Sequence, residues 1–436
     1  MNILMFTNTY TPYTGGVAQS VLRFANACRK HGHQVMIVAP EFHGVPSAEK
    51  HVIRFPALCN LSEGNFSVPV PVPGVISASV KAFAPDIVHS HHPFLLGDTA
   101  LRIAAAYNIP VVFTHHTMYE NYTHYIPGDS KRLKRFVIEM VGGYCNLCDA
   151  VIAPSQTIAD LLASRGINVP IHVIATGVDT DIFSREDNNK ASFRKRLKIP
   201  SDTFVVGHVG RLAPEKNLAF LAEAVARFLI RYPDACFLVA GAGPSEKAIK
   251  TIFRDYGLSS RLYLLGVLAS EELIEAYHTM DVFVFSSHSE TQGIVLIEAM
   301  AAGTPVVALD APGVREVVVD RRNGRLLLEE DPETFVAAIG WIYGMYPEHK
   351  EKLKKEILKT VQEFSMPQVT SRLLALYQSM IHSKSGWRDI DSGSWASARR
   401  RIEKEWEILN NIVFALGNGA LSLYTPQISP ANHPHR

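Results

Sequence analysis

The sequence predicts an α/β protein of two doubly wound, Rossmann-like domains facing across a cleft, followed by an amphipathic helical extension. Three observations carry this. Short β-rich runs alternate with helical stretches from the N-terminus onward. The pattern then restarts near residue 204, and beyond a break at GWRDIDSGSW apolar residues resume at helical spacing.

Asn2 to Phe6 reads as the first strand and Val17 to Arg29 as the helix after it. Gln34 to Ala39, Ile87 to His89, Val111 to Thr114 and Val151 to Ala153 read as further strands, and Thr157 to Arg165 as a helix. Buried strands alternating with amphipathic helices form parallel sheets covered on both faces. The run FVVGHVGRLAPEKNLAFLAEAVARFLIRYPDACFLVAGAGP repeats the order strand, glycine-containing loop, long helix, strand. The expected boundary lies in Thr176 to Asn189, giving domains 1–178 and 179–382 and an extension 383–436. A helical segment is expected from about Asp331 through Tyr377 toward Met380. In the extension, Trp395, Ala398, Ile402, Trp406, Leu409, Val413 and Leu416 share one helical face while Arg399, Arg400 and Arg401 face elsewhere. The end, TPQISPANHPHR, reads as disordered.

Composition narrows the function. With 436 residues and 47% hydrophobic content, two or three domains with buried cores are expected. Lys and Arg number 43 against 42 Asp and Glu, a net charge of +1, so no global field grips nucleic acid or membrane. Electrostatic binding must come from local clusters. The start, MNILMFTNTY, lacks the layout of a secretion signal, and no apolar run approaches the ~18 residues of a span. The expected location is the cytoplasm. Cys28, Cys59, Cys145, Cys148 and Cys236 are scattered, which suits a reducing compartment. Cys145 and Cys148 make a C-x-x-C that ends a helical run without further ligands, which reads as structural.

The chemistry concentrates in DVFVFSSHSETQGIVLIEAMAAGTPVV, Asp281 to Val307. Val282 to Phe285 reads as a buried strand, Ser286 to Gln292 as its C-terminal loop, and a helix begins near Gln292 or Gly293. Glu290 then sits on the loop facing the cleft and Glu298 about one and a half turns into the helix. An ionised carboxylate accepts from vicinal hydroxyls, so the pair suits one ligand with two polyol ends. The helix start faces an anion placed between them. Arg211 and Lys216, in GHVGRLAPEKN, follow a strand and precede a helix, where they clamp a diphosphate from the other side. The implied ligand is sugar, diphosphate, ribose.

These residues belong to an ordered set: TPYTGGVAQ, THHT, IATGVDTDIF, GRLAPEKN, GAGP and the E-x7-E of SETQGIVLIEAMAAGTPVV. Over about residues 1 to 380 the chain resembles the retaining glycosyltransferases of family GT4, with the GT-B fold. The resemblance implies that Glu290 binds donor-sugar hydroxyls, Glu298 ribose hydroxyls, and Arg211 and Lys216 the diphosphate, stabilising it as it departs. It implies that Gly15 and Gly16 admit the diphosphate closely and that His116, the second histidine of THHT, touches the transferred sugar. Gln292 and Gly293 complete the donor set. Most members carry an aromatic residue where this chain has Gln292, a variation similar to the branch that glucosylates diacylglycerol. HHPFLLG and HHTMYENYTHYIPG resemble that branch too. Glucose is therefore the leading sugar, with galactose and mannose open.

The implied reaction moves a hexose from a nucleotide diphosphate sugar, with uridine the leading base, to a lipid such as diacylglycerol. It proceeds with retention and without metal or other cofactor. A soluble sugar, inositol phosphate or glycan is the alternative acceptor, and a catalytically silent sugar-nucleotide-binding protein the further alternative. No nucleic-acid partner is expected. Lys131, Arg132, Lys134 and Arg135 lead into Phe136, Val137, Ile138 and Met140, which makes that helix a candidate contact with an anionic membrane on its cytoplasmic face. A solvated helix face is the plainer reading. Three decoys are set aside. Gly241-Ala242-Gly243-Pro244 lacks the third glycine of a dinucleotide fingerprint. Asp179-Thr180-Asp181 falls in the linker, and His89, His91 and His92 read as cleft lining, not as metal ligands.

Overall fold

The computed structural model describes residues 1–13, 15–42, 48–58, 68–69, 76–125, 129–184, 189–384 and 395–421. Ten strands precede residue 174: β1 Asn2–Phe6, β2 Gln34–Pro40, β3 Ala48–Glu49, β4 Val52–Phe55, β5 Ala57–Leu58, β6 Val68–Pro69, β7 Ile87–Ser90, β8 Val111–Thr114, β9 Ala150–Ala153 and β10 Ile171–Val173. Six follow: β11 Phe204–Val209, β12 Ala235–Ala240, β13 Leu262–Leu264, β14 Val282–Phe285, β15 Val306–Leu309 and β16 Gly324–Leu327.

The first sheet has the order β10-β9-β8-β7-β1-β2-β4-β3, parallel except where β3 meets β4. The second has the order β13-β12-β11-β14-β15-β16 and is parallel throughout. Each reverses direction of growth once, between β1 and β7 and between β11 and β14. Loops leaving the strands at such a switch point open a crevice, the usual ligand site of doubly wound sheets.

The side-chain alternation of β1 shows why these runs are strands. Ile3 and Met5 join the core on one face with Val21 and Phe24, while Leu4 and Phe6 join the core on the other with Val88 and Phe113. A period of two with both sets buried is what a central strand covered on both faces requires. The second sheet buries Val206, Leu238, Val284 and Val307 in a core of its own.

The chain crosses between the domains twice at one place. Val178 N donates to Phe364 O at 2.9 Å and Met366 N to Val178 O at 3.0 Å. Beyond this pairing the helix Met366–Ser383 returns to the first domain, where Val369, Leu373 and Tyr377 pack with Phe24 and Cys28. The last helix, Trp395–Leu421, also lies on the first domain, with Ile408 in its core. The expected unit 179–382 therefore ends in a helix that belongs by packing to the other domain. The helical segment expected from about Asp331 toward Met380 is divided into Pro332–Tyr343, Pro347–Glu363 and Met366–Ser383, and the sequence does not show which sheet the last of them covers.

Burial explains the cysteines. Cys28, Cys145, Cys148 and Cys236 are free and buried, and burial pushes the Cys145 thiol up to about 12. Cys59 lies outside the described residues. The tail TPQISPANHPHR and most of GWRDIDSGSW lie outside them as well. No described helix is long and apolar enough to cross a membrane.

Candidate active site

Both loops at the β11/β14 switch point carry expected site residues. Arg211 follows β11 after Gly210, and Lys216 ends the short 3-10 turn Pro214–Lys216 ahead of the helix Leu218–Arg231. The loop after β14 holds this turn: Ser286 Oγ donates to Lys216 O at 2.9 Å and Ser287 Oγ to Glu215 O at 3.3 Å. On its other side the turn is backed by the GAGP loop, with Leu212 N donating to Ala242 O at 2.9 Å. A Cβ at Gly243 would stand 2.4 Å from Leu212 O, and one at Gly241 1.8 Å from Gly210 O. The glycines set aside as a weak dinucleotide signal thus have a packing role under the cationic turn.

Lys216 Nζ pairs with Glu290, both side chains largely buried. Burial pushes the Lys216 ammonium down, but Glu290 and other neighbours outweigh it, and the net shift is upward. Lys216 therefore stays a cation in a partly dry pocket. Arg211 pairs with Glu215 and is half exposed. Gly293, at φ 74°, opens the helix Ile294–Ala301, so the first amides of that helix adjoin Glu290.

Glu298 lies where the E-x7-E spacing predicts, and it is 6% exposed. One carboxylate oxygen accepts from Arg23 of the first domain and the other from Tyr277 Oη at 2.9 Å. Arg23 gave no sequence signal, because its role exists only once the domains face each other. Gln292 is different from its expected place in the donor set. Its Oε1 accepts from Thr176 N at 2.6 Å and its Nε2 donates to Thr176 O at 2.7 Å. Both ends of the amide hold the backbone of Thr176, so this position acts as a clasp on the linker.

The first domain supplies the opposing wall. His89 lies in β7 with Nδ1 2.6 Å from Tyr377 Oη and Nε2 2.7 Å from Thr114 Oγ1. His91 Nδ1 lies 2.9 Å from His116 Nε2. His92 Nδ1 accepts from Asn8 N at 3.1 Å. Burial pushes His89 and His92 down to about 3 and His115 to about 4, and burial with neighbouring histidines takes His91 and His116 well below the ordinary value. The wall is neutral at physiological pH. Among the described residues no group of three or more His, Cys, Asp or Glu is placed to hold a metal. Asp179 of the D-x-D lies 3.8 Å from Lys30 Nζ.

Contacts cross the cleft directly. Thr291 Oγ1 donates to His116 O at 2.8 Å and Asn121 Nδ2 to Ser289 Oγ at 3.1 Å. Glu316 accepts from Gln156 N at 2.6 Å and Thr157 N at 2.5 Å, capping the helix Gln156–Ser164 from the other domain. Tyr122 stands near Lys216 and Glu290, and burial raises its phenol. Gly15 precedes the first helix, Gly16–Lys30, in extended conformation with the Tyr13 ring 2.6 Å from where a Cβ would stand. Gly16 meets nothing within 4 Å, so only Gly15 is explained by close packing.

Comparison with known proteins agrees with this architecture. Residues 14–182 match the model described as Glycosyltransferase Family 4, and residues 189–360 that of Glycosyl transferases group 1. The chain is 30% identical over 341 residues to the alpha-monoglucosyldiacylglycerol synthase of Streptococcus pneumoniae, covering 76% of each. The chain belongs to glycosyltransferase family 4. It is a hexosyltransferase of GT-B fold. Another relative, the GDP-mannose-dependent alpha-mannosyltransferase of Corynebacterium glutamicum, is 29% identical over 351 residues, 78% of this chain and 80% of that one. The structure of Anabaena HepE in complex with UDP and glucose superposes with a TM-score of 0.69 at 21% identity, covering 87% of this chain and 100% of that one. The two matched segments meet at the linker, so the family's two-domain division falls where the paired crossovers lie.

Proposed function

We propose that this glycosyltransferase moves glucose from UDP-glucose to diacylglycerol, with retention at the anomeric carbon and without a metal ion. The observation that carries the reading is the Lys216–Glu290 pair at the β11/β14 switch point. It sets a buried cation and a hydroxyl-accepting carboxylate side by side, facing the neutral histidine wall. A diphosphate takes the Lys216 ammonium, the amides after Gly293 and the Arg211 guanidinium. The sugar hydroxyls take the Glu290 carboxylate and His116, and the ribose hydroxyls take Glu298.

In the step itself the bond from the anomeric carbon to the leaving phosphate oxygen breaks. The acceptor hydroxyl oxygen bonds to that carbon from the same face, and its proton passes to the departing phosphate. Lys216 and Arg211 stabilise the charge that develops there, which is the work a divalent cation does in D-x-D enzymes. Glucose, uridine and the lipid acceptor are supported by the similarity to the glucosyldiacylglycerol synthase and by the nucleotide and sugar bound in HepE. The mannosyltransferase relative makes GDP-mannose the donor to test beside them.

The test incubates the chain with labelled UDP-glucose or GDP-mannose, diacylglycerol in detergent, and a chelator, followed by organic extraction. Label in the organic phase, from UDP-glucose and with the small anomeric proton coupling of an α-glycoside, is expected. Label moving only into water-soluble acceptors overturns the lipid assignment. A β-product or loss of activity to chelator overturns the mechanism.

A further inference from the structure

The last helix, Trp395–Leu421, packs on the first domain through Ser397, Arg400, Ile408 and Ala415 and leaves a second apolar face outward. Ser397 Oγ donates to Ala106 O at 2.8 Å and Arg400 Nε to Ala105 O at 2.9 Å, both on the helix Leu96–Tyr107. Arg400 therefore faces inward, away from the apolar stripe. On the outer side Ile402, Trp406, Leu409, Val413 and Leu416 are 66, 66, 53, 67 and 57% exposed, and Phe414 joins them at 61%. Five large apolar side chains in one exposed stripe, with Phe414 exposed on its flank, mark an interaction surface.

Charge decides what the stripe meets. The carboxylates along this helix are answered from within the protein: Glu403 by Arg399, Glu405 by Arg102 and Glu407 by Lys404. Lys404 Nζ donates to Leu147 O at 3.4 Å and Asn411 Nδ2 to Met140 O at 3.1 Å. Seven residues forward on one helix match seven back on the other, so the terminal helix runs antiparallel to the basic helix Lys131–Leu147. Continuing that register brings Leu416 level with Arg135 and the helix's end level with Lys131. Lys131, Arg132, Lys134 and Arg135 are all exposed there, with Lys134 Nζ 3.9 Å from Asp129 and Arg135 paired with Glu139 at 3.0 Å. An apolar stripe with an exposed tryptophan at its middle and cations at one end matches the interface of an anionic bilayer.

We propose that the outward stripe of the terminal helix and the cationic start of the basic helix form one docking surface for an anionic lipid bilayer. The inference rests on the glycolipid reading above and deepens it. The short helical segment Tyr119–Tyr125 precedes the basic helix and carries Asn121 and Tyr122, which adjoin Ser289 and the Lys216–Glu290 pair. The segment that reaches the Lys216–Glu290 pair therefore lies close in sequence to the cationic start of the docking surface.

Flotation with vesicles of phosphatidylglycerol and phosphatidylcholine tests the surface on the full chain. Changing Leu409, Val413 and Leu416 together to Ser should lower the floated fraction at least tenfold. The thermal melt should be unchanged, and transfer to detergent-dispersed diacylglycerol should stay within twofold. In the unaltered chain, brominated lipid should quench Trp406 fluorescence, with Trp406→Phe identifying its share, which tests the surface even if the triple variant misfolds. A wild-type chain that does not float, or a folded triple variant that floats as well as wild type, overturns the proposal. Lipid-independent dimers lost in the triple variant, with flotation unchanged, assign the stripe to a second copy of the chain and overturn it too. Flotation without transfer to diacylglycerol in any form leaves the docking surface standing and removes the glycolipid reading instead.

Discussion

The two walls of the cleft use polar groups in opposite ways. The wall from the second domain is charged and paired, with Lys216 on Glu290, Arg211 on Glu215, and Glu298 answered by Arg23 from across the cleft. The wall from the first domain carries His89, His91, His92, His115 and His116, all buried or partly buried and held neutral by burial. A substrate with a charged half and an uncharged half fits such a cleft in one orientation. On the proposed reading, the charged wall holds what must be stabilised as a leaving anion, while the neutral wall shapes the side where a hydroxyl enters. Neutral imidazoles there avoid a second cation that would compete for the phosphates.

The sharpest way to break this comparison is to remove the charge. Lys216→Ala, and separately Arg211→Ala, should lower turnover at least ~100-fold, the scale of losing one preorganised donor to a developing anion. The melt should change little. A folded Lys216→Ala variant with near wild-type turnover would mean that the charged wall serves the fold and not the reaction.

A smaller effect is expected at the far end of that wall. On the proposed reading, Glu298→Gln keeps the shape but weakens acceptance from the ribose hydroxyls, a contact remote from the reacting carbon. It should raise the donor KM about tenfold with kcat little changed, as for binding shared equally by ground and transition states. A fall in kcat at constant KM would move Glu298 into the chemistry.

The neutral wall is read through pH. Each buried histidine whose folded value is lowered binds its proton in the unfolded chain first. Its contribution to stability is thus complete above the unfolded value near 6.5 and is lost as pH falls toward about 4 and about 3. At up to ~1.4 kcal/mol per histidine per pH unit, the melting temperature should drop by more than ~5 °C between pH 7.5 and 5. A flat profile would show that the histidines accept protons in place and that the wall is not neutral by burial.

What was legible in the sequence follows the range of the interactions. The strand of Val282 to Phe285, its loop and the E-x7-E spacing are local, and the structure has them where the pattern put them. The turn bearing Arg211 and Lys216 was legible for the same reason. Arg23 on Glu298 spans 275 residues and Gln292 on Thr176 spans 116, and no periodicity encodes either. The terminal helix is the instructive intermediate. Its 4-3-4-3 spacing from Ile402 to Leu416 announced an amphipathic helix, but spacing gives the existence of a face and not its direction. Hydrogen bonds from Ser397, Arg400, Lys404 and Asn411 to backbone carbonyls of the first domain, with Ile408 and Ala415 buried on the same side, turn that face outward.

The double crossover at Val178 and Ser365 constrains how the two halves can move. Two chain segments pass from one half to the other side by side, tied by hydrogen bonds of 2.9 and 3.0 Å. A single connecting strand acts as a swivel and permits twisting about its own length. Two parallel connections resist twisting and leave bending across the pair as the soft motion. Opening of the halves should then follow one arc, like a book about its spine, and each closing stroke would return Gln292 to Thr176 and Arg23 to Glu298 in the same register.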